Sequence, residues 1–130
     1  MDRYRRTHTT VTDINYHFIW IPRRRRKVLK GKIKKRLEVL IQMAAGEIDC
    51  KVISLAIEPD HVHLFLNCPH DLAIPKIMHK IKGMSARYLR QEFPELQKLP
   101  SMWTRAYFAS TAGQVSMETI KRYIESQGKD

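Results

Sequence analysis

The sequence predicts an α+β fold: a ferredoxin-like, RRM-like four-stranded antiparallel sheet in the order β-α-β-β-α-β, with a further helix appended at the C-terminus. Three observations carry that expectation. Four short segments are rich in β-branched and aromatic residues, and two long segments between them repeat apolar residues every three or four positions. The two middle strand segments are separated only by Glu58-Pro59-Asp60, which suits a tight hairpin turn. Right-handed crossovers then place both long helices on one face of the sheet and leave the other face open.

Each element follows from its residues. In Ile14–Ile21, Tyr16, Phe18 and Trp20 alternate with His17, Ile19 and Ile21, and Pro22 ends the strand. From about Lys30 to Glu47, Ile33, Leu37, Leu40, Ile41 and Ala44 mark the buried stripe of an amphipathic helix. Lys51–Ile57 and His61–Asn67 form the hairpin. Pro75 opens a second helix whose face runs through Ile74, Ile77, Ile81, Met84, Tyr88 and Leu89 as far as Phe93-Pro94. Gly83 lies inside it, a residue that costs a helix about 1 kcal/mol relative to Ala, and the sequence offers no reason for it. Trp103–Thr111 reads as the fourth strand. After Gly113, Ser116 caps a last helix with Glu118 in its first turn, running to about Gln127 and stopping at Gly128.

Composition bounds the function. The chain has 130 residues, 43% hydrophobic, and a formal charge of +11, which fits a single domain over residues 1–130. The first 36 residues hold 13 of the 24 Lys and Arg but only Asp2 and Asp13 of the 13 acidic residues, so they carry the whole excess. No apolar run is long enough to span a membrane and no signal peptide opens the chain, so the expectation is a cytoplasmic, nucleoid-associated protein without a membrane partner. A basic domain of this kind most often meets nucleic acid. Cys50 and Cys68 flank the hairpin as potential cross-strand neighbours. Reduced thiols are expected inside a cell, and two cysteines at this spacing do not make a zinc site. His8, His70 and His79 stand alone in the sequence and read as structural or solvated.

Chemistry concentrates in two places. Along the third strand Val62, Leu64 and Leu66 must face the helices, so His61, His63 and Phe65 face the open side. Two imidazoles at i and i+2 can close on one metal ion, although a pair of solvated histidines on a surface strand gives the same tripeptide. In the last helix Tyr123 and Gln127 are four residues apart and share a face, beside the Ile120 and Ile124 stripe. An interfacial Tyr and a polar Gln near a helix end read equally well as structural.

Taken together, the segments His17-Phe18-Ile19-Trp20-Ile21-Pro22, Glu58-Pro59-Asp60-His61-Val62-His63-Leu64-Phe65, Lys82-Gly83-Met84-Ser85-Ala86-Arg87 within the second helix, Tyr107-Phe108 and Tyr123-Ile124-Glu125-Ser126-Gln127 resemble, in that order, the single-tyrosine HUH transposases of small bacterial and archaeal insertion sequences, REP-associated tyrosine transposases included. The resemblance covers nearly the whole chain. Two places depart from the family pattern: Glu58, where a small or apolar residue is common, and Thr104-Arg105-Ala106 in place of a small, Ser-rich stretch.

The resemblance implies a metal-dependent single-strand DNA endonuclease and strand transferase. Tyr123 would be the nucleophile, leaving a 5′-phosphotyrosine and a free 3′-OH, and His61, His63 and Gln127 would hold Mg²⁺ or Mn²⁺. Two nitrogens and one oxygen suit Mn²⁺ better than Mg²⁺. The implied substrate is single-stranded DNA with hairpin ends, and the implied assembly is a homodimer in which the tyrosine helix completes a site in cis or in trans. Arg5, Arg6, Arg23, Arg24, Arg25 and Arg26 are the candidate DNA contacts. Two other readings share the residues: a non-catalytic ferredoxin-like nucleic-acid-binding module, with no use for Tyr123 or a metal, and a domesticated HUH nuclease acting on chromosomal palindromes.

Overall fold

The computed structural model of the protein describes residues 4–111 and 116–127. The chain opens with a small hairpin that the sequence does not announce, β1 (Arg5–Arg6) paired antiparallel with β2 (Val11–Thr12). Its turn is closed by Thr7, whose amide donates to the Thr10 carbonyl and whose hydroxyl accepts from the amides of Thr9 and Thr10. There follow β3 (Ile14–Trp20), a 3-10 turn at Arg23–Arg25, α1 (Gly31–Glu47), β4 (Lys51–Glu58), β5 (His61–Cys68), α2 (Ile74–Glu92), a 3-10 segment at Pro94–Lys98, β6 (Phe108–Ser110) and α3 (Met117–Ser126).

The four main strands lie in the order β4-β5-β3-β6, every neighbouring pair antiparallel. Sequential strands are thus split around β3 by two helical crossovers, the expected ferredoxin-like topology. Phe18, Trp20, Val62, Leu64 and Leu66 point to the helical face and are fully buried, together with Leu37, Leu40 and Ile41 of α1 and Ile77, Ile81 and Leu89 of α2. Trp103 meets Trp20 edge-on at 5.9 Å between ring centroids, and its indole N–H donates to Ser85 Oγ, so the one polar edge of a buried ring is satisfied. Cys50 and Cys68 are free, buried thiols with their sulfurs 3.4 Å apart, cross-strand neighbours as expected.

Two expectations are corrected. The fourth strand is shorter than Trp103–Thr111: only Phe108–Ser110 joins the sheet, and Trp103 makes an isolated bridge to Pro22. Between them the Lys82 ammonium collects the carbonyls of Thr104, Arg105 and Ala106, at 2.8, 3.3 and 3.3 Å, so these carbonyls bond to a side chain rather than to a strand. Nor is the second sheet face fully open. Ile19 and Ile21 point there by alternation, and Ile120 and Ile124 of α3 pack onto them to form a separate apolar cluster. Leaving two isoleucines of a central strand in water would cost about 1.5–3 kcal/mol each, which the amphipathic α3 avoids. Ser116 caps α3, accepting from the Thr119 amide at 3.1 Å. Gly113 and Gly128 lie outside the described residues.

Candidate active site

Register fixes the site. His61 pairs with Glu58 of β4, and His63 pairs with Ala56 of β4 and Ile19 of β3, which in turn pairs with Phe108 of β6. Both histidines stand on the face opposite the main core, half-buried, and both line an open pocket of about 510 Å³ with Lys27, Glu58, Met117 and Ile120. The sequence places them correctly because Val62 and Leu64, fully buried, leave the alternate residues no other direction.

Each ring is oriented by a neighbour. His61 Nδ1 lies 3.0 Å from Asp60 Oδ1, so the carboxylate accepts its N–H and leaves Nε2 with the lone pair. His63 Nε2 lies 3.1 Å from Nδ1 of His17, a buried residue of β3. Burial, and after it His17 and His61, hold His63 below the ordinary histidine pKa, which favours the neutral ring that a metal requires. The pair therefore fits a divalent cation as two nitrogen donors on one wall of a pocket with room for water and phosphate. Among the described residues no group of three His, Cys, Asp or Glu side chains is arranged to hold a metal ion.

Tyr123 sits elsewhere. Its ring packs on Phe108 of β6, with centroids 5.8 Å apart, and β6 is two strands from β5, roughly 10 Å across the sheet. The phenol oxygen is buried and has no hydrogen-bond partner among the described residues, and burial pushes its pKa up to about 12. Neither Tyr123 nor Gln127 lines the two pockets that His61 lines, one of them shared with His63; the Gln127 side-chain amide donates to Ser126 Oγ at 3.3 Å. The fold thus assembles the two histidines and docks α3 over the sheet with its tyrosine turned to the far edge.

The family profile described as "Transposase IS200 like" matches residues 10–127. The chain belongs to that family. It is 34% identical over 120 residues to the ISDra2 transposase TnpA of Deinococcus radiodurans, covering 90% of this chain and 86% of that one. It is 24% identical over 115 residues to the transposase for insertion sequence element IS200 of Salmonella typhimurium, covering 86% and 75%. A 1.90 Å crystal structure of a Deinococcus radiodurans protein assigned as a transposase superposes with a TM-score of 0.90 at 28% identity, over 97% of this chain and 99% of the other. A REP-associated tyrosine transposase, solved bound to a REP hairpin, shares the fold with a TM-score of 0.59 at 16% identity, over 96% and 69%.

The basic residues of this transposase divide by environment. Arg5 donates to Asn67 Oδ1 at 2.7 Å and to the carbonyls of Asp49 and Asn67, tying the N-terminal hairpin to the end of β5. Arg23 donates to Ser101 Oγ. Arg24 and Arg25 both adopt left-handed backbone, φ 59° and 53°, a conformation costing a non-glycine residue about 1–2 kcal/mol. That twist accompanies an Arg25 side chain reaching the Ile124 carbonyl at 3.3 Å and Asp60 Oδ2 at 3.7 Å. Arg6, Arg24 and Arg26 are exposed. Together Arg25, Asp60, His61, Ile120, Lys121 and Ile124 line a larger pocket of about 800 Å³ between the basic turn and α3. No helix among the described residues is long and apolar enough to cross a membrane.

Sequence reasoning passed over His17 as part of the site and named Arg25 only as one of six candidate DNA contacts, not as a link between α3 and Asp60. Odd-numbered residues of β3 share the face of His61 and His63, so alternation could have singled out His17. Nothing in the sequence distinguishes Arg25 within a run of four arginines.

Proposed function

We propose that this transposase cuts and rejoins single-stranded DNA at hairpin-bearing element ends, with Tyr123 as nucleophile and His61, His63 and Gln127 as ligands of Mg²⁺ or Mn²⁺. The observation that carries the reading is the pair of oriented imidazoles on one open pocket that Met117 and Ile120 of the Tyr123 helix also line. A bound divalent ion would supply charge stabilisation at the scissile phosphate. The Tyr123 oxygen attacks phosphorus, the P–O3′ bond breaks, the phenol proton ends on the departing 3′ oxygen, and the 5′ side is left as a phosphotyrosine. A second 3′-OH then attacks the same phosphorus and releases Tyr123, so strands are rejoined without ATP.

In its docked position the Tyr123 phenol is buried, has no hydrogen-bond partner among the described residues and is held neutral. The reaction therefore requires α3 to leave Phe108 and present Tyr123 and Gln127 to a histidine pocket, its own or that of a second subunit. A homodimer offers both routes. Exposed Arg24 and Arg26, and the exposed Arg6 of the N-terminal hairpin, suit contact with the DNA backbone, while Arg5, Arg23 and Arg25 are engaged in intramolecular bonds.

The test is incubation of the full chain with a labelled single-stranded end and Mn²⁺, followed by denaturing electrophoresis. A covalent protein–DNA adduct is expected for the wild type, and none for Tyr123→Phe or His61→Ala, both of which still bind DNA. Adduct formed by Tyr123→Phe removes the nucleophile assignment. Mixing Tyr123→Phe with His63→Ala subunits separates the routes, since a composite site in trans restores cleavage and a site in cis does not.

A further inference from the structure

Along β3 the residues Asn15, His17 and Ile19, and Ile21 just beyond it, share the sheet face of His61 and His63. His17 pairs in register with Phe65, two residues beyond His63. Its ring stacks on Phe65 at 4.1 Å between centroids with 14° between planes, and it is only 5% exposed. A ring so packed has little freedom. Its Nδ1 is then 3.1 Å from His63 Nε2, close enough for one hydrogen bond.

A bond between two neutral imidazoles has two arrangements, and they differ in what His63 offers to the pocket. If His17 donates, His63 carries its proton on Nδ1 and has no lone pair left for a cation. If His63 donates from Nε2, the Nδ1 lone pair is free. Metal-ligating histidines commonly give their second N–H to a fixed acceptor, which sets the tautomer and the ring plane. Asp60 holds that position for His61.

We propose that His17 is the positioning residue of this site: its Nδ1 accepts the N–H of His63 Nε2 and so turns the Nδ1 lone pair of His63 toward the cation. The two histidines would then bind through different nitrogens, Nε2 of His61 and Nδ1 of His63, one oriented by an adjacent carboxylate and the other by an imidazole from the neighbouring strand. This inference rests on the proposal that His63 is a metal ligand.

Two measurements on the full chain without DNA test it. Nitrogen-15 NMR of labelled histidines in the metal-free protein should show His63 protonated at Nε2, and protonation at Nδ1 overturns the proposal. Mn²⁺ titration by calorimetry should show His17→Phe, which keeps the stack on Phe65 but lacks an acceptor, binding about 10- to 100-fold more weakly. His17→Asn, whose Oδ1 takes the place of Nδ1, should recover most of that loss. Unchanged Mn²⁺ affinity in His17→Phe, with His63→Ala clearly weakened, overturns the role of His17 and leaves the metal site standing. Equal affinity in wild type and His63→Ala removes the metal site itself. Should His17→Phe fail to fold, the wild-type tautomer of His63 decides.

Discussion

Arg25 Nη1 donates to the backbone carbonyl of Ile124 at 3.3 Å, joining the basic turn after β3 to the last turn of α3. The same guanidinium lies 3.7 Å from Asp60, the carboxylate that orients His61. One side chain therefore spans the tyrosine helix and the histidine strand. Arg25→Ala removes a charge-assisted bond to the end of α3, a contact worth on the order of 1 kcal/mol at this half-exposed position. Amide hydrogen exchange over residues 117–126 should quicken roughly fivefold while the core of the sheet is unchanged. Equal exchange in both proteins rules out Arg25 as the tie.

Tyr123→Phe is expected to separate stability from activity. The phenol oxygen is buried with no hydrogen-bond partner among the described residues, and deleting it relieves a desolvation cost of about 1 kcal/mol while the ring keeps its contact with Phe108. The variant should melt at or slightly above the wild-type temperature while forming no DNA adduct. A large fall in melting temperature would show that the hydroxyl holds α3 in place.

The docking of α3 should also respond to alkaline pH. Burial raises Tyr123 from the ordinary value of 10.0 to about 12, so the docked helix favours the neutral phenol. Below pH 10 this contribution is fully present. Between about pH 10 and 12 the undocked tyrosine ionises first, and docking weakens as pH rises. The wild-type minus Tyr123→Phe difference absorbance near the phenolate band should titrate with a midpoint near 12, and a midpoint near 10 would mean that the ring is not held on Phe108.

Arg24 and Arg26 project from the basic turn into solvent. Replacing both with Ala should weaken DNA binding and reduce the slope of log affinity against log salt by about 0.7 per lost phosphate contact on a single strand. Mn²⁺ binding at His61 and His63 should be unaffected. An unchanged salt slope removes the turn from the DNA interface.

Gly83 offers a stabilising substitution. A Cβ built there meets nothing within 4 Å, and the residue is exposed on α2. Gly83→Ala should gain about 1 kcal/mol from helix propensity, or roughly 4 °C in melting temperature. No gain would point to a requirement for glycine that packing does not reveal.

Much of this protein was legible in its sequence because two periodicities leave little choice. Alternation in β5 buries Val62, Leu64 and Leu66 and turns His61 and His63 to the far face, and the three- and four-residue spacing in α1 and α2 picks their buried stripes. The short turn at Glu58-Pro59-Asp60 sets the hairpin, and its topology leads to the β4-β5-β3-β6 order. Less legible were features made by contacts distant in sequence. The fourth strand shortens because Lys82, on α2, takes up three of its carbonyls. The open face is partly closed because Ile19 and Ile21 find Ile120 and Ile124 about a hundred residues away.

The sequence by itself therefore determined the fold and the family, and it singled out His61, His63 and Tyr123 as the proposed site, since those readings depend on local pattern and on motifs read in order. Tertiary structure alone decided which neighbours orient them: Asp60 on His61, His17 on His63, Arg25 across to Ile124, and Phe108 under Tyr123. Such contacts depend on strand register and helix docking, and a chain of letters records neither. They determine that Tyr123 lies against Phe108 as a neutral phenol.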